Sequence, residues 1–178
     1  AFPRAGIVPD FIWDRLDVKE LPTAAALGAS NVLEVAAASA RAVADGLLRR
    51  DVGALVDGYR SDMTRSFVIG GPDAADDVAR EILPLVTQAH ADAVAAVAPG
   101  FEAKAIDDAC RSIITEAVFG EAFRHGTGHG VGLDIHELPS IRKDNAAILQ
   151  AGQVLTVEPG VYLPGVGGVR VEDLVVVT

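Results

Sequence analysis

Two runs of strand-like pattern, Asp51-Val-Gly-Ala-Leu-Val56 and Tyr59-Arg-Ser-Asp-Met-Thr64, meet at Asp57-Gly58, a dipeptide that marks a two-residue hairpin loop. With that loop Val56 pairs with Tyr59, and Asp51 falls opposite Thr64. Asp62 then shares a face with Asp51 as its diagonal neighbour, so two carboxylates point at one spot. Upstream, residues 1–23 are irregular, interrupted by Pro3, Pro9 and Pro22 and carrying the aromatic pair Phe11 and Trp13. An Ala-rich pattern predicts a helix from about Asn31 to Leu48. Downstream, Gly70-Gly71-Pro72-Asp73 stops the strand and caps a long helix over about Ala74–Val97, with Pro84 inside it. Pro99-Gly100 ends that helix, and another is expected over about Ala103–Val118. Strands and glycine loops fill the remainder, with no literal repeat and no low-complexity linker.

The C-terminal pattern repeats the logic of the first hairpin. Glu158 ends the apolar run Val154-Leu-Thr-Val157, and Glu172 sits within Val169-Arg-Val-Glu-Asp-Leu-Val175. Pro164-Gly-Val-Gly-Gly168 lies between them, and a hairpin closing about Gly165 sets the two glutamates across from each other. Four carboxylates brought together without a counter-charge repel, and their pKa values are forced upward. Two divalent cations cancel four negative charges, and the imidazole of His129 completes a ligand set. Oxygen-dominated donors with one histidine suit Mn(II), Fe(II) or Co(II) better than structural zinc, which prefers Cys and His.

Composition narrows the class. The chain has 178 residues, half of them hydrophobic, and reads as one domain; a chain of this size buries roughly 70% of its unfolded surface. A net charge of -10 and a pI near 4.7 argue against nucleic acid or an anionic membrane as main partners. Cys110 has no second cysteine to pair with and is expected to pack within its helix. No membrane span or secretion signal is read from the sequence, so the cytoplasm is the default. Any single Asp or Glu in so acidic a chain is a solvated charge by default; it is the five ligand candidates together that demand another explanation. His90, alone in an Ala-rich helix, reads as structural.

The same residues carry a resemblance. Asp51-Val-Gly-Ala, with Gly58-Tyr-Arg-Ser-Asp62-Met-Thr64-Arg65-Ser-Phe67, resembles the first metal-binding segment of the pita-bread metallopeptidases, which include prolidases, Xaa-Pro aminopeptidases and methionine aminopeptidases. His125-Gly-Thr-Gly-His129-Gly-Val-Gly-Leu-Asp-Ile-His136-Glu137-Leu-Pro139 is similar to their histidine segment. Thr156-Val-Glu158-Pro-Gly-Val-Tyr162 and Gly168-Val-Arg170-Val-Glu172-Asp173 resemble the last two segments. The four occur in family order from about Asp51 to Thr178.

The resemblance implies an α+β pita-bread (creatinase/aminopeptidase-like) fold, pseudo-twofold, with a curved, mostly antiparallel sheet backed by helices. It implies two divalent ions, Mn(II) or Co(II) first and Fe(II) or Zn(II) next, with a hydroxide shared between them. Asp51, Asp62, His129, Glu158 and Glu172 would be the ligands, Asp62 and Glu172 bridging. Glu158 would also shuttle the proton, while His136 and His125 would hold the scissile carbonyl. Arg170 and Tyr162 would orient the carboxylates. Amide hydrolysis asks for these parts independently: an activated water, an electrophile for the developing oxyanion and a proton for the departing nitrogen.

His125, four residues before His129, resembles the proline-directed branch and implies cleavage of the bond preceding proline. Ser140 stands where strict dipeptidases of that branch carry an arginine, with Arg142 two residues on, which tips the expectation towards aminopeptidase action on longer peptides. Residues 1–50 depart from the family pattern: the stretch ahead of the first aspartate is short, it lacks a Pro-His-Gly-like loop, and Leu47-Leu-Arg-Arg50 is more charged than the family strand. A single catalytic domain over 1–178 with a divergent or truncated first 50 residues is therefore expected, with a second copy in a homodimer to complete the sheet or pocket. Two other classes stay open at this point, a non-catalytic peptide-binding relative and a metal-dependent lyase on the same fold, with methionine aminopeptidase action as a variant of the first reading.

Overall fold

The computed structural model describes residues 41–42, 47–68 and 71–178. The first sheet joins β1 (Arg41–Ala42), β2 (Leu47–Val56) and β3 (Tyr59–Val68), all antiparallel. Asp57 and Gly58 turn between β2 and β3 with φ of 51° and 88°. Two successive positive φ values match the right-handed strand twist and favour Asp-Gly. That loop sets the register Val56↔Tyr59 and Asp51↔Thr64, as the sequence pattern requires.

The helix expected over Asn31–Leu48 is corrected where the structure speaks to it. Arg41–Ala42 and the start of β2 at Leu47 are strand, and residues 31–40 lie outside the described residues. Alanine-rich propensity is a weak preference, and pairing with β3 overrides it. The half-buried Arg49 also contributes here, its guanidinium lying 5.4 Å from the centre of the Tyr162 ring.

A short 3-10 turn at Pro72–Ala74 leads into α1 (Asp77–Ala95), whose N-cap is Asp76 rather than the expected Gly70–Asp73 stretch. The Asp76 carboxylate accepts from the Ala79 amide at 2.6 Å. Helix α2 (Ala103–Glu116) follows. Ala79, Ile82, Val86, Ala89 and Ala93 on α1, and Ala103, Ile106, Cys110 and Ile114 on α2, recur at helical spacing and are buried together. Cys110 is free and buried, as expected.

These helices pack on the second sheet, ordered β5 (Glu137–Ile141), β4 (Gly128–Gly130), β6 (Val154–Val157) and β9 (Asp173–Val176). A separate hairpin, β7 (Gly160–Leu163) with β8 (Gly167–Arg170), continues the β6–β9 register outward. Both ladders keep one register, Val157↔Asp173 and then Gly160↔Arg170, so Glu158 and Glu172 fall opposite each other between them. A bridge between Thr64 and Glu172 ties the first sheet to the second. Leu155, Val157, Val161, Val169 and Val175 fill the core beneath this junction.

Candidate metal centre

Three sheet segments deliver the candidate ligands to one place. Asp51 and Asp62 come from β2 and β3, His129 from the middle of β4, and Glu158 and Glu172 from the junction of the two C-terminal ladders. Among the described residues, Asp62, His129 and Glu172 each offer a ligand atom within 4.8 Å of the others. Glu158 Oε1 lies 3.3 Å from His129 Nε2, and Asp62 Oδ2 lies 3.8 Å from it. Asp51 sits outside this tight group, its carboxylate bonded to the Arg170 guanidinium.

Backbone contacts aim the imidazoles. His129 Nδ1 lies 3.0 Å from the Gly130 carbonyl, which can only accept, so in the neutral ring Nδ1 carries the hydrogen. Nε2 is thereby left with its lone pair directed at the carboxylates, as a metal ligand requires. His125 is arranged likewise, with Nδ1 2.7 Å from the Gly126 carbonyl and Nε2 accepting from the Tyr162 hydroxyl at 2.8 Å. The exposed His136 ring stands 4.4 Å from that of His129, edge to face. His90, by contrast, is buried on α1 with Nε2 3.3 Å from Asp173, away from the ligand group.

The electrostatics show what the donor set asks for. Burial, with Asp51 and Glu158 facing it, pushes Asp62 up to about 6. Burial, with Glu158 and Asp62 facing it, pushes Glu172 up to about 8. Glu158 moves the other way: burial would raise it, but bonding to His129 and the charges of His125, His129 and Arg170 outweigh that and hold it low. His129 is held above the usual histidine range because bonding to Glu158 and the Gly130 carbonyl outweighs its burial. His125 is pushed down, chiefly by burial. Two carboxylates held back from ionising beside an imidazole whose Nε2 is aimed at them are a donor set that divalent cations fit.

Arg170 lies among the carboxylates it was expected to orient, whereas Tyr162 meets the His125 ring and Arg170 rather than a carboxylate. Arg170 bonds Asp51, donates Nε–H to Thr64 Oγ1 at 2.9 Å, and lies 3.7 Å from Glu172 and 4.0 Å from Glu158. Asp173 is paired with Arg65 instead, at 2.6 Å. Three side chains that the motifs did not single out complete the arrangement. Thr64, fully buried, donates to Glu172 Oε2 at 2.5 Å. Arg65 donates to the Glu172 carbonyl at 2.6 Å. Thr156 Oγ1 accepts from the His129 amide and donates to Glu158 Oε1. Thr64 had a signal in the sequence, its register position opposite Asp51.

With this geometry in hand, a profile of metallopeptidase family M24 matches residues 10–178. The chain belongs to metallopeptidase family M24. It is 47% identical over 128 residues to the Xaa-Pro dipeptidase of Pyrococcus furiosus, covering 72% of this chain and 36% of that protein. An uncharacterized peptidase of Staphylococcus saprophyticus is 48% identical over 128 residues, with the same coverage of each chain. The solved prolidase from Pyrococcus furiosus superposes with a TM-score of 0.71 at 46% identity, over 74% of this chain and 38% of that one. The chain thus spans about a third of the length of the curated relatives it matches. The expected pita-bread fold is the M24 fold found here.

Proposed function

We propose that this M24 chain carries the metal-binding core of a dinuclear exopeptidase that cleaves the bond between an N-terminal residue and proline. The observation that carries the reading is the convergence of Asp62, His129 and Glu172 within 4.8 Å, flanked by Glu158 and by Asp51. The similarity to proteins named Xaa-Pro dipeptidase and prolidase supports the substrate class. Asp51, Asp62, His129, Glu158 and Glu172 would hold two divalent cations, Mn(II) or Co(II) first, with Fe(II) and Zn(II) also compatible with the donors. Bound there, the ions supply an activated water and an electrophile for the scissile carbonyl.

The chain's own groups do the rest. Glu158 is kept ionised near neutrality, so its carboxylate accepts a proton and passes it to the departing proline nitrogen. His136, exposed beside His129, donates N–H to the carbonyl oxygen as charge develops on it. The His125 ring is fixed by Tyr162 and the Gly126 carbonyl. Tyr162 is itself held by Arg170. Ser140 supplies no cation after Pro139, and the exposed Arg142 is paired with Asp144. That arrangement favours peptides longer than two residues within the Xaa-Pro class. A second copy of the chain in a homodimer would add to the sheet or pocket.

Two substitutions separate the roles. Glu158→Ala should lose metal and turnover together. His136→Ala should keep its metal and lose turnover by about a hundredfold, the scale of one oxyanion donor. Normal turnover in His136→Ala would remove the proposed role of that ring.

A further inference from the structure

Asp107 and Arg111 stand one turn apart on α2, a spacing that on most helices makes an exposed pair of little consequence. Here Asp107 is fully buried. Arg111 grips it with a two-pronged fork, Nε to Oδ2 at 2.6 Å and Nη2 to Oδ1 at 2.9 Å. Neither residue touches a candidate ligand side chain. What they touch is the backbone of the histidine segment. Arg111 donates to the Phe123 carbonyl at 3.0 Å and to the His125 carbonyl at 2.7 Å. Asp107 Oδ1 accepts from the Thr127 amide at 3.1 Å and from its hydroxyl at 2.8 Å. The guanidinium also stacks 4.0 Å from the centre of the Phe123 ring, which meets His125 edge to face.

The contacts run on into the metal centre. The Thr127 carbonyl accepts from the Glu158 amide at 2.6 Å, and His129 begins two residues later on β4. Arg111 Nη1 and Nη2 and Asp107 Oδ1 thus reach alternate residues, 123, 125 and 127, of one short stretch. Burying a carboxylate against a half-buried guanidinium only to brace a helix is costly, and an apolar pair would do that as well. Holding a glycine-rich segment whose own side chains pack poorly is a use that needs several directed hydrogen bonds.

We infer that the Asp107–Arg111 pair is the positioning element of the His125–His129 segment, fixing the backbone from which both imidazoles project. Its catalytic consequence rests on the Xaa-Pro reading above; its geometric consequence does not. A lysine at 111 keeps the charge facing Asp107, but a single ammonium cannot span the carboxylate and two carbonyls. Valine at 127 leaves the buried pair whole and removes one of its contacts to the segment.

The test uses the full chain with Arg111→Lys and Thr127→Val, and reads three quantities at a temperature where each variant is folded by circular dichroism. The first is the imidazole NMR signals of the metal-free protein, where His90 on α1 serves as the internal reference. The second is Co(II) affinity from visible absorption. The third is kcat and KM on an Ala-Pro peptide. Expected are displaced His125 and His129 signals with His90 unmoved, Co(II) affinity lower by about tenfold, and kcat lower by about 10- to 100-fold with KM nearly unchanged. Thr127→Val should show the same signs at smaller size. Wild-type imidazole signals and Co(II) affinity in a folded variant would overturn the inference, and if Arg111→Lys does not fold, Thr127→Val decides alone. Should the wild-type chain cleave nothing, the substrate reading fails while the imidazole signals still decide the positioning claim.

Discussion

Gly128 is where the sheet and the candidate metal centre depend on the same missing atom. A Cβ built at Gly128 would lie 1.9 Å from the Thr156 carbonyl oxygen and 2.9 Å from Thr156 Oγ1. To relieve even the first contact to about 3.0 Å, β4 and β6 must part by about 1.1 Å. That separation takes the Val131–Val154 and His129–Thr156 bonds, each 3.0 Å now, beyond hydrogen-bonding range, and strains the Glu158–Thr127 bond of 2.6 Å. Losing two such bonds at about 1 kcal/mol each and weakening a third puts the cost of Gly128→Ala at about 2–3 kcal/mol, towards the upper end for overpacking. In a chain of this size that corresponds to a melting point lower by roughly 4–12 °C. Gly152→Ala is the control: its φ is +89° and nothing lies within 4 Å, so only backbone strain of about 1 kcal/mol is expected. Thermal and urea unfolding of both variants give the comparison. A Gly128→Ala chain no less stable than Gly152→Ala would refute the claim that close backbone approach dictates the glycine.

The same centre yields two further expectations. Thr64→Val removes the buried hydroxyl that donates to Glu172, so it should cost about 1–2 kcal/mol in urea unfolding and raise the Glu172 pKa further; an unchanged midpoint would contradict the contact. The pH dependence follows from Glu172 itself, raised from 4.5 to about 8, so the folded metal-free chain binds a proton that the unfolded chain has already released. Its stabilising effect is complete below the unfolded value and is lost as pH rises through 8, an effect the raised His129 reinforces. Urea midpoints in chelator should therefore fall as pH rises from about 5 to 8, and adding Mn(II) near pH 7 should release protons, seen as a buffer-dependent binding heat. A flat midpoint across that range would exclude the proposed burial of the Glu172 charge.

What could be read from the sequence was what depends on local pattern. The Asp57-Gly58 turn needs two positive φ values, and that need alone set the β2–β3 register and the shared face of Asp51 and Asp62. The facing of Glu158 and Glu172 followed from the same kind of count across Gly165. Where tertiary contacts outweigh local preference, the pattern misled: alanine-rich sequence suggested helix up to Leu48, and strand pairing claimed its end. Burial was invisible too. Asp107 and Arg111 carry the spacing of an ordinary surface pair, and only the packing of α2 on β5 reveals that the aspartate is enclosed. Arg170 was expected only to orient the carboxylates; that it bonds Asp51, while the neighbouring Asp173 goes to Arg65, is a choice made by the fold.

On the proposed reading, five side chains from three sheet segments form one dinuclear centre for Xaa-Pro cleavage. Elemental analysis of the purified chain after equilibration with Mn(II) or Co(II), run beside cleavage of Ala-Pro and of a longer Ala-Pro-containing peptide, tests it most directly. About two ions per chain with release of the N-terminal alanine is the predicted result. A chain that binds no metal at saturating supply, or binds two ions and leaves every Xaa-Pro peptide intact, would contradict it.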